Sequence, residues 1–264
     1  MTTAVRSAHE ALACPTCHDP LEAEAAALRC VSCGRSYGAR GGIWDFAPDL
    51  ASQPGLAQRF MEAPAIVSIY ERWFRPTLTR LVSPLRYDEE ERYLERWLGA
   101  TTGAMLDLAC GTGRYTRWLG ERAGDRAVLG LDLSRAMLLE AHRRAAAVGR
   151  FDLTFARGSA LALPITSGAL GAVCSFGALH LFPDPPLAIA EIGRALAPGG
   201  RFVCLTVARA PSGALRPLEQ AFSRAASLRF FERDALTRWL GAAGLEALDL
   251  TQQGAMLLFA ARKR

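Results

Sequence analysis

From residue 101 to the end of the chain, short apolar runs alternate with amphipathic stretches. AMLDLAC, AVLGLDL, LTFARG, LGAVCSFG and RFVCLTV are nearly continuous in apolar residues, the pattern of strands buried on both faces. Between them, GRYTRWLGERAG, SRAMLLEAHRRAAAVG and PPLAIAEIGRALAPGG repeat their apolar positions at helical spacing. Ser134 stands where it would cap the second of these helices, and the third opens on proline and ends at glycine. The tail FERDALTRWLGAAGLEALDLTQQGAMLLFAARKR adds one helix and two strands. This alternation predicts an α/β domain over residues 101–264, built on a doubly wound, mostly parallel sheet of seven strands.

The pattern is different upstream. Residues 1–10 read as a tail. Residues 11–48 hold two CxxC pairs, polar turns and the short run IWDF, and APDLASQPG closes this module. Residues 49–100 read as a linker and a helical lid. IVSIYERWFRPTL carries aromatic residues on one side, and YDEEERYLERWLG has acids early, arginine late and a glycine stop. Residues 209–230 do not fit the alternation and read as a helical insert.

Composition changes this picture little. The formal net charge is +5, and Lys263 is the only lysine, so the positive charge is spread over arginines and argues only weakly for a nucleic-acid partner. No apolar run near the start is long enough for a signal peptide. The uncharged stretch 158–183 is interrupted by Pro164 and several glycines, so no membrane span is expected and a cytoplasmic protein is. The seven cysteines do not form a disulfide-like framework: four lie in two CxxC pairs and three stand singly in predicted strands.

The loop after the first strand, LDLACGTGRY, is where a ligand is expected, because open α/β sheets bind at the carboxyl ends of their strands. Gly111 and Gly113 let backbone approach that ligand. Asp132 ends the second strand, 21 residues beyond Gly111, a spacing that suits a carboxylate accepting from two ribose hydroxyls. A dinucleotide fingerprint needs Gly or Ala three residues after Gly113, and Thr116 stands there. Asp107, just ahead of the loop, would repel a phosphate and suit a cation. S-adenosylmethionine has ribose, adenine and positive charge but no phosphate, so the pattern favours it over NAD.

MLDLACGTGRYTRWL, VLGLDLSRAML, ARGSALALPITSGALGAVCSFGALHLFPDP and AEIGRALAPGGRFVCLTV resemble the successive motifs of class I S-adenosylmethionine-dependent methyltransferases, including methyltransferase type 11 domains. The resemblance covers about residues 100–262 and implies the Rossmann-like form of the doubly wound sheet. It implies that Asp107, Ala109, Gly111 and Gly113 lie along the methionine part of the cofactor and that Asp132 holds its ribose. Leu133 and Met137 would flank the adenine, Ser159 and Ala160 would reach its edge, and Phe176 would border the transferred methyl. Three positions depart from the family: Ala109 replaces a glycine, Ser159 a common aspartate, and Gly171 a common acid.

Cys14, Cys17, Cys30 and Cys33 form two thiolate pairs twelve residues apart, which can close a tetrahedron around a structural zinc. Zinc would supply the folding energy that so small a module lacks when standing alone. The layout is similar to that of zinc-ribbon ribosomal-RNA guanine methyltransferases, and also to that of plant chloroplast methyltransferase-like proteins, which share the ribbon and an aromatic helix like VSIYERWFRP. Residues 1–48 carry four arginines and five acids, whereas a module that reads RNA should be basic.

His180, in GALHLFPDP, is expected at the rim where an acceptor lies, placed to take a proton if the acceptor must lose one. Tyr70, Trp73 and Phe74 either form an aromatic lid or pack in a core. The reading is methyl transfer from S-adenosylmethionine to an O, N or C atom of a small-molecule acceptor. Ribosomal-RNA guanine methylation, with RNA as partner, is the alternative. A non-catalytic binding protein on a degenerate cofactor fold is the third.

Overall fold

A computed structural model describes residues 8–47, 63–75, 77, 85–209 and 229–264. The expected alternation is present. Strands β1 (Leu21–Glu24), β2 (Ala27–Cys30), β3 (Ser36–Arg40) and β4 (Ile43–Asp45) come first, then helix α1 (Pro64–Ile69), continued by a π-helical turn at Tyr70–Phe74, and α2 (Tyr87–Leu98). There follow β5 (Ala104–Leu108), α3 (Arg114–Arg122), β6 (Val128–Asp132), α4 (Arg135–Ala147), β7 (Thr154–Arg157) and β8 (Leu170–Phe176). The chain closes with α5 (Pro185–Ala195), β9 (Leu196–Val207), α6 (Arg233–Ala242), β10 (Leu245–Gln253) and β11 (Met256–Lys263).

The strand order is β1-β2-β3-β4-β7-β6-β5-β8-β9-β11-β10. Its last seven members are the expected sheet, parallel from β7 to β9 and closed by the antiparallel β11. Side chains alternate across it as the pleat requires. Leu106 and Leu108 enter a core shared with Ile189 and Ile192 of α5 and Leu236 of α6. Met105 enters a second core with Leu94 of α2, Trp118 of α3 and Leu138 of α4. Asp107 points to this second side.

The cysteine-bearing module is joined to the rest of the chain through a strand pairing. β4 pairs in parallel with β7, Ile43 opposite Phe155 and Asp45 opposite Arg157, so the ribbon extends the parallel sheet. Leu12, Leu28, Tyr37 and Phe46 join the same core as Leu163 and Ile189, so this module buries its apolar side chains without relying on metal alone. The β3–β4 hairpin turns on Gly41 and Gly42, both with positive φ, and a Cβ on Gly42 would strike the His142 ring of α4 at 2.6 Å.

One local expectation changes. The helix read through LAPGG stops at Ala195, because Pro198 drives Ala197 out of the helical region and Leu196 instead pairs with Leu170. Most of the insert read at 209–230 lies outside the described residues; its two stems meet where Arg209 donates its backbone N–H to the Phe231 carbonyl at 2.9 Å. Among the described residues no helix is long and apolar enough to cross a membrane.

Candidate functional site

The glycine loop leaves β5 through two residues of positive φ, Ala109 at 57° and Gly111 at 54°, and reaches Gly113 at 75°, which starts α3. The left-handed conformation explains the usual glycine at position 109; alanine holds it here under backbone strain. At Gly113 a Cβ would come within 2.9 Å of the Ala141 Cβ, so α4 packs directly on the loop. Gly171 is likewise imposed: a side chain there would overlap the Thr102 carbonyl, so no acid fits.

Asp132 ends β6 beside this loop. One carboxylate oxygen accepts the Gly111 N–H and the other the Ser134 N–H, both at 2.8 Å. Each oxygen has a second lone pair, so the group can still accept from a ligand. Ser134 caps α4 by accepting from the Met137 N–H at 3.3 Å. Leu133 is exposed and Met137 is buried beside it, an apolar step next to the carboxylate. Ser159 and Ala160 follow β7, where the Ser159 hydroxyl accepts from the Leu161 N–H at 3.1 Å.

Asp107 lies beneath the loop, 1% exposed, accepting from the Thr116 hydroxyl at 2.6 Å and facing the Cys174 thiol at 3.6 Å. Burial pushes its carboxyl up to about 6, against the lowering effect of the Thr116 hydrogen bond. The loop is therefore flanked by two acids, Asp107 beneath it and Asp132 beside it.

Over the loop lies the aromatic helix. A Cβ on Gly111 would sit 3.8 Å from the Tyr70 ring. Glu71 latches this segment: it accepts from the Thr112 hydroxyl at 2.6 Å and pairs with Arg117 at 2.8 Å and Arg144 at 2.9 Å. Arg75 pairs with buried Glu90 at 2.9 Å and donates to the Tyr115 hydroxyl at 3.2 Å. The Tyr115 ring rests on Phe176, the last residue of β8, with centroids 4.8 Å apart. Of the lid aromatics, Tyr70 is half-buried, Trp73 is exposed, and the Phe74 side chain lies outside the described residues. Glu71 and Arg75 were missed in the sequence because charges on an amphipathic helix ordinarily read as its solvated face.

His180 is buried. It sits on a short turn, Leu179–Leu181, 8% exposed, with Nδ1 3.4 Å from the Thr206 hydroxyl. Burial lowers its pKa to about 4, so it is neutral at pH 7 and a weak base instead of one poised near neutrality.

The cysteine pairs converge. The four Sγ atoms lie within 4.8 Å of one another, with Cys14–Cys33 at 3.6 Å and Cys17–Cys30 at 3.4 Å. Zn–S bonds of about 2.3 Å in a tetrahedron put sulfurs about 3.8 Å apart, so this donor set fits zinc. Each knuckle closes on a residue of positive φ, His18 at 60° and Gly34 at 71°. The Tyr37 hydroxyl, 3.2 Å from the Cys14 sulfur, gives a second-layer donor to a thiolate.

Residues 105–200 match the family model of a methyltransferase domain. The chain is 27% identical over 278 residues to an uncharacterized chloroplastic methyltransferase of Arabidopsis thaliana, covering 96% of this chain and 78% of that protein. A demethylmenaquinone methyltransferase of Thermus thermophilus is 43% identical over 110 residues, covering 42% of this chain and half (50%) of the relative. The solved geranyl diphosphate C-methyltransferase of Streptomyces coelicolor superposes with a TM-score of 0.61 at 19% identity, over 67% of this chain and 79% of that one. Sheet order, glycine loop and sequence likeness agree: the chain is a methyltransferase on the class I fold, with its methyltransferase domain matched at residues 105–200.

Proposed function

We propose that the chain methylates an O, N or C atom of a small, largely apolar metabolite, with S-adenosylmethionine as donor and zinc as a structural metal held by the four cysteines. The observation that carries the cofactor assignment is the Asp132 carboxylate hydrogen-bonded to the Gly111 amide above buried Asp107. Two acids on one loop oppose a phosphate and favour the ammonium and sulfonium of S-adenosylmethionine. Asp132 would hold the ribose, Leu133 and Met137 the adenine faces, and Ser159 with Ala160 its edge. Ala109, Gly111 and Gly113 would follow the methionine chain, and Phe176 would border the methyl.

The cofactor supplies an electrophilic methyl group that leaves sulfur by in-line displacement. The chain's own part is to align the acceptor and keep water out. Tyr70 above Gly111 and the Tyr115–Phe176 pair give the apolar walls for that. As a weak base, His180 is a poor proton taker at neutral pH, which suits an acceptor that has no proton to lose or gives it up to solvent. The quinone and geranyl diphosphate methyltransferases among the similar proteins support a small apolar acceptor. The net acidic ribbon segment argues against RNA.

Incubating the protein with methyl-labelled S-adenosylmethionine and cell extract tests this reading. Label is expected in the organic-extractable small-molecule fraction. Label in RNA would replace the acceptor assignment, and binding without any transfer would favour a non-catalytic role.

A further inference from the structure

The segment Asp132–Leu133–Ser134 belongs to neither β6 nor α4 beyond its first residue, yet it carries the carboxylate and the apolar step of the site. Something must hold it. On the loop side, the Gly111 and Ser134 amides bind Asp132. On the other side stands Arg157, the last residue of β7, directly opposite Asp132 in the strand ladder. Its Nε donates to the Leu133 carbonyl at 3.0 Å, and its Nη1 donates to the Ala47 carbonyl at 2.8 Å and reaches both Asp45 oxygens at 3.2 and 3.3 Å. Asp45 is the last residue of β4, the ribbon strand added to the sheet, and is opposite Arg157 in that pairing. The Phe46 N–H returns to the Arg157 carbonyl at 2.8 Å.

Burying a guanidinium gains little stability over an apolar side chain of the same size, even when it is paired. Arg157 is 9% exposed, and the planar fork gives something an apolar side chain cannot: fixed directions to three separate backbone and carboxylate acceptors. One of those acceptors lies in the segment that forms the adenine and ribose end of the site.

We propose that Arg157, clamped by Asp45 and Ala47 of the ribbon, is a positioning residue that fixes the Asp132–Leu133 turn for the adenosine end of the cofactor, so that the ribbon completes the cofactor site. This rests on the assignment of S-adenosylmethionine to that turn. It also accounts for the run IWDF, which sequence reading marked out without assigning a use: Trp44 opposes Ala156 while Asp45 reaches the arginine.

The test is calorimetric titration of the full chain with S-adenosylhomocysteine and with adenosine, for Arg157→Gln, Arg157→Lys and Asp45→Asn, at least 15 degrees below each variant's Tm. Arg157→Gln is expected to raise Kd for both ligands by the same factor, about tenfold, the size of one lost charge-assisted hydrogen bond. Arg157→Lys should recover only part of it, because an ammonium cannot make the fork, and Asp45→Asn should raise Kd about threefold. Equal factors for the two ligands mark the adenosine end as the part disturbed. A purely structural arginine would lower Tm and the fraction of competent protein while leaving Kd unchanged, and that result overturns the inference. Wild-type protein that takes up neither ligand would instead overturn the cofactor assignment.

Discussion

Asp107 is a buried carboxylate whose place in the fold is costly, and Asp107→Asn exposes that cost. Its pKa stands near 6 in the fold against 3.8 when unperturbed. A raised carboxyl pKa means that the folded state holds the proton more tightly than the unfolded chain does. Its contribution to stability is full below pH 3.8 and is lost as pH rises through 6. A difference of about two units corresponds to about 3 kcal/mol at neutral pH, roughly half of which is lost between pH 5 and 7.5. Asparagine keeps an oxygen for the Thr116 hydroxyl and carries no charge to desolvate. The variant is therefore expected to be more stable than wild type at pH 7.5, and its advantage should shrink by about 1.5 kcal/mol at pH 5. Urea unfolding at both pH values, with fluorescence and circular dichroism as coincident probes, measures this. The same variant should bind S-adenosylmethionine more weakly at pH 7.5, since the acid that favours a cation is gone. A variant less stable than wild type at pH 7.5, with an effect that does not vary with pH, would refute the reasoning.

Other substitutions probe separate parts of the site. Ala109→Gly relieves a left-handed alanine at φ 57°; a strain of about 1–2 kcal/mol less the added freedom of the unfolded glycine leaves about 0.5–1 kcal/mol of stabilisation, measurable by urea unfolding. His180 titrates near 4, so the pH–rate profile of methyl transfer should show no inflection near 6.5 that is abolished by His180→Gln. Its lowered pKa contributes stability above 6.5 that is lost as pH falls towards 4, opposite in sign to Asp107, so the two largely cancel in wild type. Metal analysis should find one zinc per chain, and chelation should lower Tm by several degrees without unfolding the catalytic sheet, because Leu28 and Tyr37 pack in the shared core; complete loss of circular dichroism would contradict that packing.

The parts legible in the sequence are those whose physics is local. The glycine loop, the strand end at Asp132 and the Ser134 cap are each signalled by residue types within a few positions, and the two CxxC pairs bend into knuckles by their own turns. What escaped depends on distant partners. Three residues of β4 give no periodicity to read, and their parallel pairing with β7, over a hundred positions away, leaves no mark in either segment. The Arg157–Asp45 clamp follows from that pairing and was hidden with it. An arginine ending a predicted strand at the ligand edge was the one available signal. The burial of His180 was hidden in the same way, because it comes from Thr206 on β9 and the returning Arg229 stem, whose N–H binds its carbonyl at 3.1 Å.

The most direct measurement is calorimetric titration of the wild-type chain and of Asp132→Ala with S-adenosylmethionine, and of the wild type with NAD. Wild type should take up one equivalent of S-adenosylmethionine and no NAD, and Asp132→Ala should lose at least tenfold in affinity. NAD binding by the wild type, or S-adenosylmethionine uptake indifferent to Asp132, would contradict the account.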